Sequence, residues 1–323
     1  MSNMADSARA FSLCVPTFWP GSYWRAFLSA FDSQTARPAV ALIVSSGTNS
    51  SDLELASDAG FTCWTIDASD FDHGGTRQSA VSFCANKADL IVFLTQDAIL
   101  ATPDALKILL KAFDDPRVGA AWGRQLPHGN TTPGAAHARH YNYPAQSQSV
   151  CAEDIPEFGI KAAFCSNSFA AYRISSLKAI GGFPSKAVLG EDMHVAARLL
   201  RAGYRIAYVA EATVFHSHNY SPLQEFSRYF DTGAFHAENP WLLEHFGRPL
   251  GEGRRFVVSE LGYLWENDPS SIPGAMLANF GKYLGYTLGT RFRALPATWP
   301  ARLGMNKTYW KNWHEKQVGS SRG

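Results

Sequence analysis

Several patterns that mark common protein classes are missing from this 323-residue chain. No stretch approaches about eighteen uncharged apolar residues, so we predict no membrane-spanning helix. Neither G-x-x-x-x-G-K-[ST] nor G-x-G-x-x-G occurs, which argues against a P-loop and a dinucleotide-binding domain. The N-terminal segment lacks the basic flank and apolar core of a signal peptide, so we expect a cytoplasmic protein.

Cysteine and net charge are also scarce. The five cysteines form no Cys-x-x-Cys pair and four of them lie in apolar segments, so we expect reduced, packed thiols. With 29 basic and 28 acidic side chains, the formal net charge is +1, which gives no electrostatic reason to expect nucleic acid as a partner. Apolar residues, at 46%, are abundant enough for one large domain or two.

The first 125 residues alternate between short apolar runs and helix-like segments near 22–33, 50–59, 75–87 and 103–113. The runs are FSLCVPTF, AVALIVSS, FTCWTID, LIVFLTQDA and VGAAWG, and most are apolar throughout, which is typical of strands covered on both faces. This alternation predicts an α/β fold with a doubly wound, mostly parallel sheet. Ligands bind such sheets beyond the carboxyl ends of the strands. Those ends are Pro16-Thr17, Ser45-Ser46, Asp67 and Asp97.

The pattern changes after the fifth run. Residues 128–160 are rich in Gly, Pro, His and polar residues, which predicts a long, mobile connection. A helix after Gly190 and a strand at 204–216 follow, and from Pro222 onward the pattern is helical and aromatic. We therefore predict a catalytic domain over 1–221 and a C-terminal helical subdomain over 222–323.

Three segments carry candidate catalytic or metal-binding groups. Asp97 ends a buried run, where it could hold a divalent cation or simply begin a turn. Glu191 and Asp192 begin a helix, where Asp192 could be a general base and Glu191 could contact an acceptor or support its neighbour; both could instead only favour the helix dipole. His216 and His218 point to one side of an extended chain, as metal ligands or as a polar strand end.

A fourth segment, FDHGGTRQSA, could bind phosphate. Gly74 and Gly75 at a helix start would leave backbone N–H groups free, and Arg77 would add a bidentate donor. The alternative is an ordinary glycine turn beside a solvated arginine. Sugar nucleotidyltransferases use a similar loop after their first strand, whereas this one follows the third.

In order along the chain, these segments resemble family 2 glycosyltransferases with the GT-A fold, and in particular bacterial rhamnosyltransferases that build O-antigen and related surface polysaccharides. That group also has TQDA in place of an Asp-x-Asp triplet. One departure is VSSGT at 44–48, where many relatives have an acidic turn. The segments that carry the resemblance are VPTF, FDHGGTR, FLTQDA, FCSNSFAAYR, LKAIGGF, LGEDMHVAARLLRAGYRIAYV, VFHSH, RYFDTGAFH and KYLGYTLG.

The resemblance implies an inverting, metal-dependent transfer of L-rhamnose from dTDP-rhamnose to a growing surface glycan. Asp97 would bind Mg²⁺ or Mn²⁺ with His216, in preference to His218, and Asp192 would be the base with Glu191 beside it. A nucleotide-sugar site is implied as well. Its members would be Pro16 and Thr17 at the base, Asp67 at the nucleoside, Gly74, Gly75 and Arg77 at the diphosphate, and Gln96 and Asp97 after the fourth strand.

Two alternatives stay open beside this hypothesis. One is a galactofuranosyl- or other hexosyltransferase that uses a UDP donor. The other is a catalytically silent scaffold of the same fold that binds glycan. The presence of Asp97, Asp192 and His216 together argues against the silent scaffold.

Basic residues are concentrated at the C-terminal end. From Lys282 onward there are eight, against the single acid Glu315, interleaved with aromatic residues. This composition predicts peripheral association with an anionic membrane, on the inner face of the cytoplasmic membrane, where a glycan acceptor could be lipid-linked. The alternative is a solvated charged face that covers aromatic core residues.

Overall fold

The computed structural model describes residues 9–247 and 251–320. The first eight residues, on which part of the signal-peptide prediction depends, and Arg322 of the basic segment lie outside these ranges. The described residues form one nine-stranded sheet with helices on both faces, which confirms the predicted α/β fold. The strands are β1 (Phe11–Thr17), β2 (Val40–Ser45), β3 (Thr62–Thr65), β4 (Leu90–Leu94), β5 (Ile99–Leu100), β6 (Val118–Leu126), β7 (Gln148–Val150), β8 (Phe169–Arg173) and β9 (Arg205–Phe215).

The strand order is β3-β2-β1-β4-β8-β6-β9-β5, with β7 paired to β9. From β3 to β4 all neighbours are parallel, as the strand–helix alternation predicts. Strand β8 is antiparallel to both β4 and β6, while β6 and β9 are parallel. The carboxyl ends of β1, β2 and β4 therefore lie at one edge of the sheet, where the candidate site residues follow them.

Helices cover both faces because successive side chains of a strand point to opposite sides. In β1, Cys14 belongs to one buried cluster, whereas Leu13 and Val15 belong to the other. The helices are α1 (Trp24–Asp32), α2 (Ser50–Asp58), α3 (His73–Cys84), α4 (Ala105–Leu110), α5 (Pro133–Asn142), α6 (Ile155–Phe158), α7 (Ile174–Ala179), α8 (Glu191–Arg201), α9 (Pro222–Glu238), α10 (Pro240–Phe246), α11 (Glu252–Asn267), α12 (Ile272–Gly289), α13 (Trp299–Leu303) and α14 (Lys307–Ser320), with 3-10 turns at Gly21–Tyr23, Lys111–Asp114, Ala152–Asp154, Gly159–Ala163, Pro269–Ser271 and Phe292–Ala294.

The prediction of a mobile connection over residues 128–160 is wrong, because the segment contains α5, β7 and α6. Pro133 occupies the first turn of α5 after Thr132, where its missing N–H leaves no helical hydrogen bond unmade. His137 is only 3% exposed and packs against the rings of Phe256 and Tyr263 on α11. This contact with a distant helix stabilises α5 and has no signature in the local sequence.

The C-terminal helices share a core with the sheet. Phe235 and Trp310 belong to the same buried cluster as Val195 and Tyr208, so the predicted boundary at 221/222 coincides with the start of α9 and not with a separate core. None of the described helices is both long enough and apolar enough to cross a bilayer. All five cysteines are free, as expected.

Candidate active site

Asp97 lies just after β4 and faces two histidines that follow β9. Its Oδ1 is 3.5 Å from His216 Nε2, and its Oδ2 is 3.6 Å from His218 Nε2. One ligand atom from each of these residues lies within 4.8 Å of the others. The fold thus brings together the predicted pair, Asp97 and His216, and places His218 as near to the carboxylate as His216.

The protonation states in this cluster suit a metal ion. Burial alone would raise the pKa of Asp97, but the hydrogen bond and charge of His216, aided by His218, hold that pKa well below its usual range. Burial, with His216 nearby, lowers the pKa of His218 to about 4, so its imidazole is neutral at neutral pH. A carboxylate suits Mg²⁺ or Mn²⁺, and the two imidazoles favour Mn²⁺ over Mg²⁺, so the residues fit the implied cofactor.

Gln125, on β6, fixes the orientation of His216. Its Oε1 is 2.9 Å from His216 Nδ1 and also accepts from Arg139, while its Nε2 donates to Ser166 Oγ at 2.9 Å. Because Oε1 can only accept, Nδ1 donates to it, and Nε2 is the ring nitrogen that faces Asp97. Metal-binding histidines are usually held in this way by a second partner. Gln125 was not among the predicted site residues, although it is a polar residue in a buried part of a strand.

Asp192 is held in the first turn of α8 by backbone donors. Oδ2 accepts from the N–H of Asn167 at 3.1 Å and Oδ1 from that of Met193 at 2.8 Å. Burial, and then the negative charge of Glu191, raise the pKa of Asp192 to about 7. A carboxyl group that titrates near neutral pH is suited to accept a proton from a hydroxyl group and to release it afterwards.

Glu191 is only 5% exposed and pairs with Arg77, whose Nη1 is 3.2 Å from its Oε1. The same oxygen accepts from Asn167 Nδ2 at 3.0 Å. Burial would raise the pKa of Glu191, but the charges of Arg77 and His73 and the Asn167 hydrogen bond hold it below its usual value. Of the two roles left open for Glu191, this burial favours support of Asp192 over contact with an acceptor.

The glycine pair in the first turn of α3 differs from the expected phosphate loop. The N–H of Gly75, expected to be free, donates to Asp72 Oδ2 at 2.9 Å. A Cβ on Gly74 would lie 1.7 Å from the carbonyl oxygen of Pro184, so this glycine permits a close backbone contact. Arg77 is 4% exposed and donates to the carbonyl of His73 at 2.8 Å. The prediction of free N–H donors is wrong for Gly75, because Asp72 caps the helix.

Where the resemblance places the nucleoside, hydroxyl groups and aromatic rings surround the carboxyl ends of β1 and β2. Pro16 is half-buried, and the hydroxyl group of the next residue, Thr17, accepts a hydrogen bond from the hydroxyl group of Thr48 at 2.9 Å. Gln96 Oε1 accepts from the backbone N–H of Phe18 at 2.6 Å, and Gln96 Nε2 donates to the carbonyl oxygen of Phe18 at 2.9 Å. The Gln96 side chain therefore positions the chain after β1. Two exposed groups border this edge. The first is formed by the rings of Phe18 and Trp19, which are 54% and 62% exposed. The second is the carboxylate of Asp67, which accepts hydrogen bonds from the backbone N–H and the hydroxyl group of Ser69.

The residues that contact Gln125 and the candidate base are adjacent in the chain. Ser166 binds Gln125, and Asn167 binds both Asp192 and Glu191. Tyr172, on β8, donates to Asn167 Oδ1 at 2.8 Å and fixes the orientation of that amide. Asn167 was not among our predicted site residues, although it lies in the polar triplet of FCSNSFAAYR before an apolar strand.

Comparison with known proteins identifies the family of the chain. The sequence profile described as "Glycosyltransferase like family 2" matches residues 8–230. The O-antigen chain rhamnosyltransferase RfbN of Salmonella typhimurium is 48% identical over 302 residues, which are 93% of this chain and 96% of that protein. The O-antigen chain rhamnosyltransferase WbaN of Salmonella anatum is 47% identical over 304 residues, or 94% and 96% of the two chains.

Two solved structures share the fold at low sequence identity. The mannosyltransferase PcManGT from Pyrobaculum calidifontis, in complex with GDP-Man and Mn²⁺, aligns with a TM-score of 0.52 and 15% identity over 97% of this chain and 87% of that one. S. aureus TarS 1–349 with UDP-GlcNAc aligns with a TM-score of 0.50 and 14% identity over 88% and 92%. The chain therefore has the GT-A fold and belongs to glycosyltransferase family 2.

Proposed function

We propose that this protein is an inverting, metal-dependent rhamnosyltransferase that moves L-rhamnose from dTDP-rhamnose to a growing O-antigen glycan. The observation that carries the proposal is the identity of 48% with an O-antigen chain rhamnosyltransferase over 93% of this chain. The arrangement of Asp97, His216 and Asp192 supports it, because each has the surroundings that its role requires.

The donor nucleotide would lie along the edge formed by β1, β2 and β3. Pro16, Thr17 and the exposed Asp67 would contact the base and nucleoside, while Gln96 would position the chain that carries Phe18 and Trp19. Exposed aromatic rings at such an edge offer a stacking surface to a nucleobase. Thr48 belongs to the segment VSSGT, where many relatives have an acidic turn, and its hydroxyl group bonds to that of Thr17, so the base would meet neutral partners.

Asp97 and His216, with His218 as a third ligand, would hold Mn²⁺ or Mg²⁺ beside the donor diphosphate. A divalent cation at this place supplies positive charge that offsets the negative charge of the leaving diphosphate. Gln125 contributes by keeping His216 Nε2 directed at the cluster.

Asp192 would accept the proton of the acceptor hydroxyl. As that proton leaves, the acceptor oxygen forms a bond to the anomeric carbon, and the bond from this carbon to the diphosphate oxygen breaks with its electron pair. Attack opposite the leaving group inverts the anomeric configuration. Glu191 would act through Asp192 by keeping its pKa high, and Arg77 would neutralise Glu191 instead of reaching the diphosphate. Gly74 and Gly75 would serve the close packing of α3.

We assign catalysis to residues 1–221 and contact with the acceptor or a membrane to residues 222–323. The glycan acceptor would be lipid-linked. The enzyme would therefore work in the cytoplasm, peripherally attached to the inner face of the cytoplasmic membrane.

A donor panel tests the proposed function. Purified protein with Mn²⁺ and an O-antigen acceptor fragment would be incubated with dTDP-rhamnose, UDP-galactofuranose, UDP-glucose or GDP-mannose. We expect transfer from dTDP-rhamnose, with inversion at the anomeric carbon seen by NMR of the product. Transfer from a UDP-sugar alone would select the alternative enzyme. Absence of transfer, together with absence of thermal stabilisation by any nucleotide, would select the silent scaffold.

A further inference from the structure

Exposed apolar side chains are concentrated on three C-terminal helices. Among the described residues, eight of the twelve exposed large hydrophobic side chains lie on α11, α12 and the first turn of α9. Contiguous apolar surface of this kind marks an interaction site, whereas single exposed residues do not. We call this surface the α11–α12 face; its members are Leu223, Val258, Trp265, Met276, Leu277, Phe280, Tyr283 and Leu284.

The outward side of α12 is apolar over most of its length. Met276, Phe280 and Tyr283 follow one another at helical spacing and are 58%, 61% and 71% exposed. Lys282 is the only charged residue in α12, and its side chain is 14% exposed and lies 3.7 Å from Glu225. The charge of α12 is therefore directed into the protein, away from the apolar side.

The opposite side of α12 is pressed against α9. A Cβ on Gly285 would lie 2.2 Å from the carbonyl oxygen of Phe226, and one on Gly289 would lie 2.0 Å from that of Phe230. Glycine at these positions allows the two backbones to approach closely, which fixes α12 in place. The exposed side chains therefore stand on a firmly packed helix.

Helix α11 packs beside α12 and also carries exposed apolar side chains. Its side chains interlock with α12 through Asn279, which donates to Glu260 Oε2 at 2.6 Å, and through Lys282, which lies 4.9 Å from the centre of the Phe256 ring. Val258 and Trp265, two helical turns apart, are 64% and 72% exposed. Polar groups thus occupy the seam between the helices, and these two apolar side chains project into solvent.

We propose that the α11–α12 face docks onto the surface of a lipid bilayer, with its apolar side chains in the interfacial layer. Trp265 and Tyr283 combine an apolar ring with a polar group, as residues at that depth do. Arg291 and Arg293 are exposed just after α12, where they would meet anionic headgroups. This inference rests on the proposed function only in that a lipid-linked acceptor makes such docking useful.

The surface differs from the basic aromatic segment in which the sequence placed membrane contact. Phe292 and Trp310 of that segment are fully buried, which agrees with the alternative of aromatic core residues beneath a charged face. The apolar contact comes instead from residues 258–284, most of which precede the basic segment. Arg291 and Arg293 contribute electrostatic attraction to anionic headgroups, while α11 and α12 contribute the apolar area that becomes buried in the bilayer interface.

A lipid surface fits this face better than a second copy of the chain does. Protein interfaces carry about one hydrogen bond per 100–200 Å², which requires polar side chains in register. Across the outward side of α12, Tyr283 supplies the only polar group among the exposed large side chains. A fluid bilayer needs no such register, and helices that lie in its interface have an apolar side of this kind.

Vesicle binding tests the inference without donor or acceptor present. The protein would be sedimented with phosphatidylglycerol–phosphatidylethanolamine vesicles at low salt, beside the variant Met276→Gln/Phe280→Gln. We expect this double variant to bind about tenfold more weakly. Trp299→Gln, which changes a 47% exposed tryptophan outside the face, should bind like the wild type. Arg291→Gln/Arg293→Gln should bind more weakly at low salt and equally at high salt.

Two results would overturn the inference. One is absence of wild-type binding to these vesicles at low salt. The other is a lipid-free dimer that sedimentation velocity detects in the wild type and not in Met276→Gln/Phe280→Gln. Transfer to a water-soluble acceptor should be unchanged in the double variant, so loss of vesicle binding and failure of the proposed function are separately visible.

Discussion

The backbone N–H of Asn167 donates to Oδ2 of Asp192 at 3.1 Å. The residue before it, Ser166, accepts from Gln125, which in turn holds His216. One short segment before β8 therefore connects the candidate base and the candidate metal ligands. In the proposed sugar transfer this connection would set how far the acceptor hydroxyl lies from the leaving diphosphate.

Asp192→Asn should abolish transfer and leave donor binding intact. The amide keeps the shape of the side chain but cannot take up the acceptor proton, a contribution worth about 10²–10⁴-fold in rate. The measurement is kcat with dTDP-rhamnose, alongside calorimetric donor affinity. Wild-type kcat in Asp192→Asn would remove the base assignment.

Glu191→Gln should move the acid limb of the pH–rate profile to lower pH. Asp192 must be ionised to act, so activity falls as the pH drops through its pKa, which burial and the charge of Glu191 raise to about 7. Removing that charge and leaving Arg77 nearby lowers the pKa. The measurement is kcat/KM against pH. Glu260→Gln, at another buried acid, is the control and should leave the limb in place.

Asp97→Ala and His216→Ala should each weaken Mn²⁺ binding by more than about 100-fold, the upper end of what loss of an outer-sphere partner costs. Each variant removes one direct ligand atom from a cluster of three. Calorimetry with Mn²⁺ alone measures this without turnover. His245→Ala, at an exposed histidine on α10, serves as the matched control. Wild-type affinity in both variants would contradict the metal site.

Gln125→Leu should weaken Mn²⁺ binding by about 10–100-fold, because the partner that orients His216 is lost. The ring would then be free to rotate or to change its tautomer. Gln125→Glu keeps an acceptor for both His216 and Arg139, so it should retain most of the affinity. Equal Mn²⁺ affinities of Gln125→Leu and Gln125→Glu would contradict the inference that Gln125 supports metal binding by orienting His216.

Arg77→Met should lower the free energy of unfolding by about 3–5 kcal/mol, because it leaves Glu191 buried without its cation. Urea unfolding of the wild type and the variant measures the change. A direct role at the diphosphate predicts the opposite pattern, in which donor affinity falls and stability hardly changes. Arg25→Met, at an exposed arginine on α1, controls for loss of positive charge.

Local sequence patterns were sufficient to predict structure that depends on neighbouring residues in the chain. Apolar runs without alternation predicted strands covered on both faces, and β1, β2 and β4 are buried almost throughout. The carboxyl ends of parallel strands lie at one edge of the sheet, where ligands bind, and this is why Asp97 could be selected as a site residue. The pairing of Asp97 with His216 came from the resemblance to a family, since 119 residues separate them (216 − 97).

Sequence patterns did not predict features that depend on distant contacts. Helix α5 packs on α11 through His137, and the local composition of residues 128–160 does not identify that partner. Arg77, predicted to approach the diphosphate, is buried beside Glu191, 114 residues away (191 − 77). A buried ion pair depends on the depth at which both side chains lie, which composition does not report.

The fold class, six of the nine strands in the described residues and the candidate residues at strand and helix ends could be predicted from the sequence, because periodicity and strand ends are local properties. How those residues are arranged became visible in the folded structure. It placed Gln125 behind His216 and Asn167 beside Asp192, and it directed the one charge of α12 inward, which leaves an apolar side on the surface. Hydrogen bonds and burial between distant segments arise only when the chain has folded.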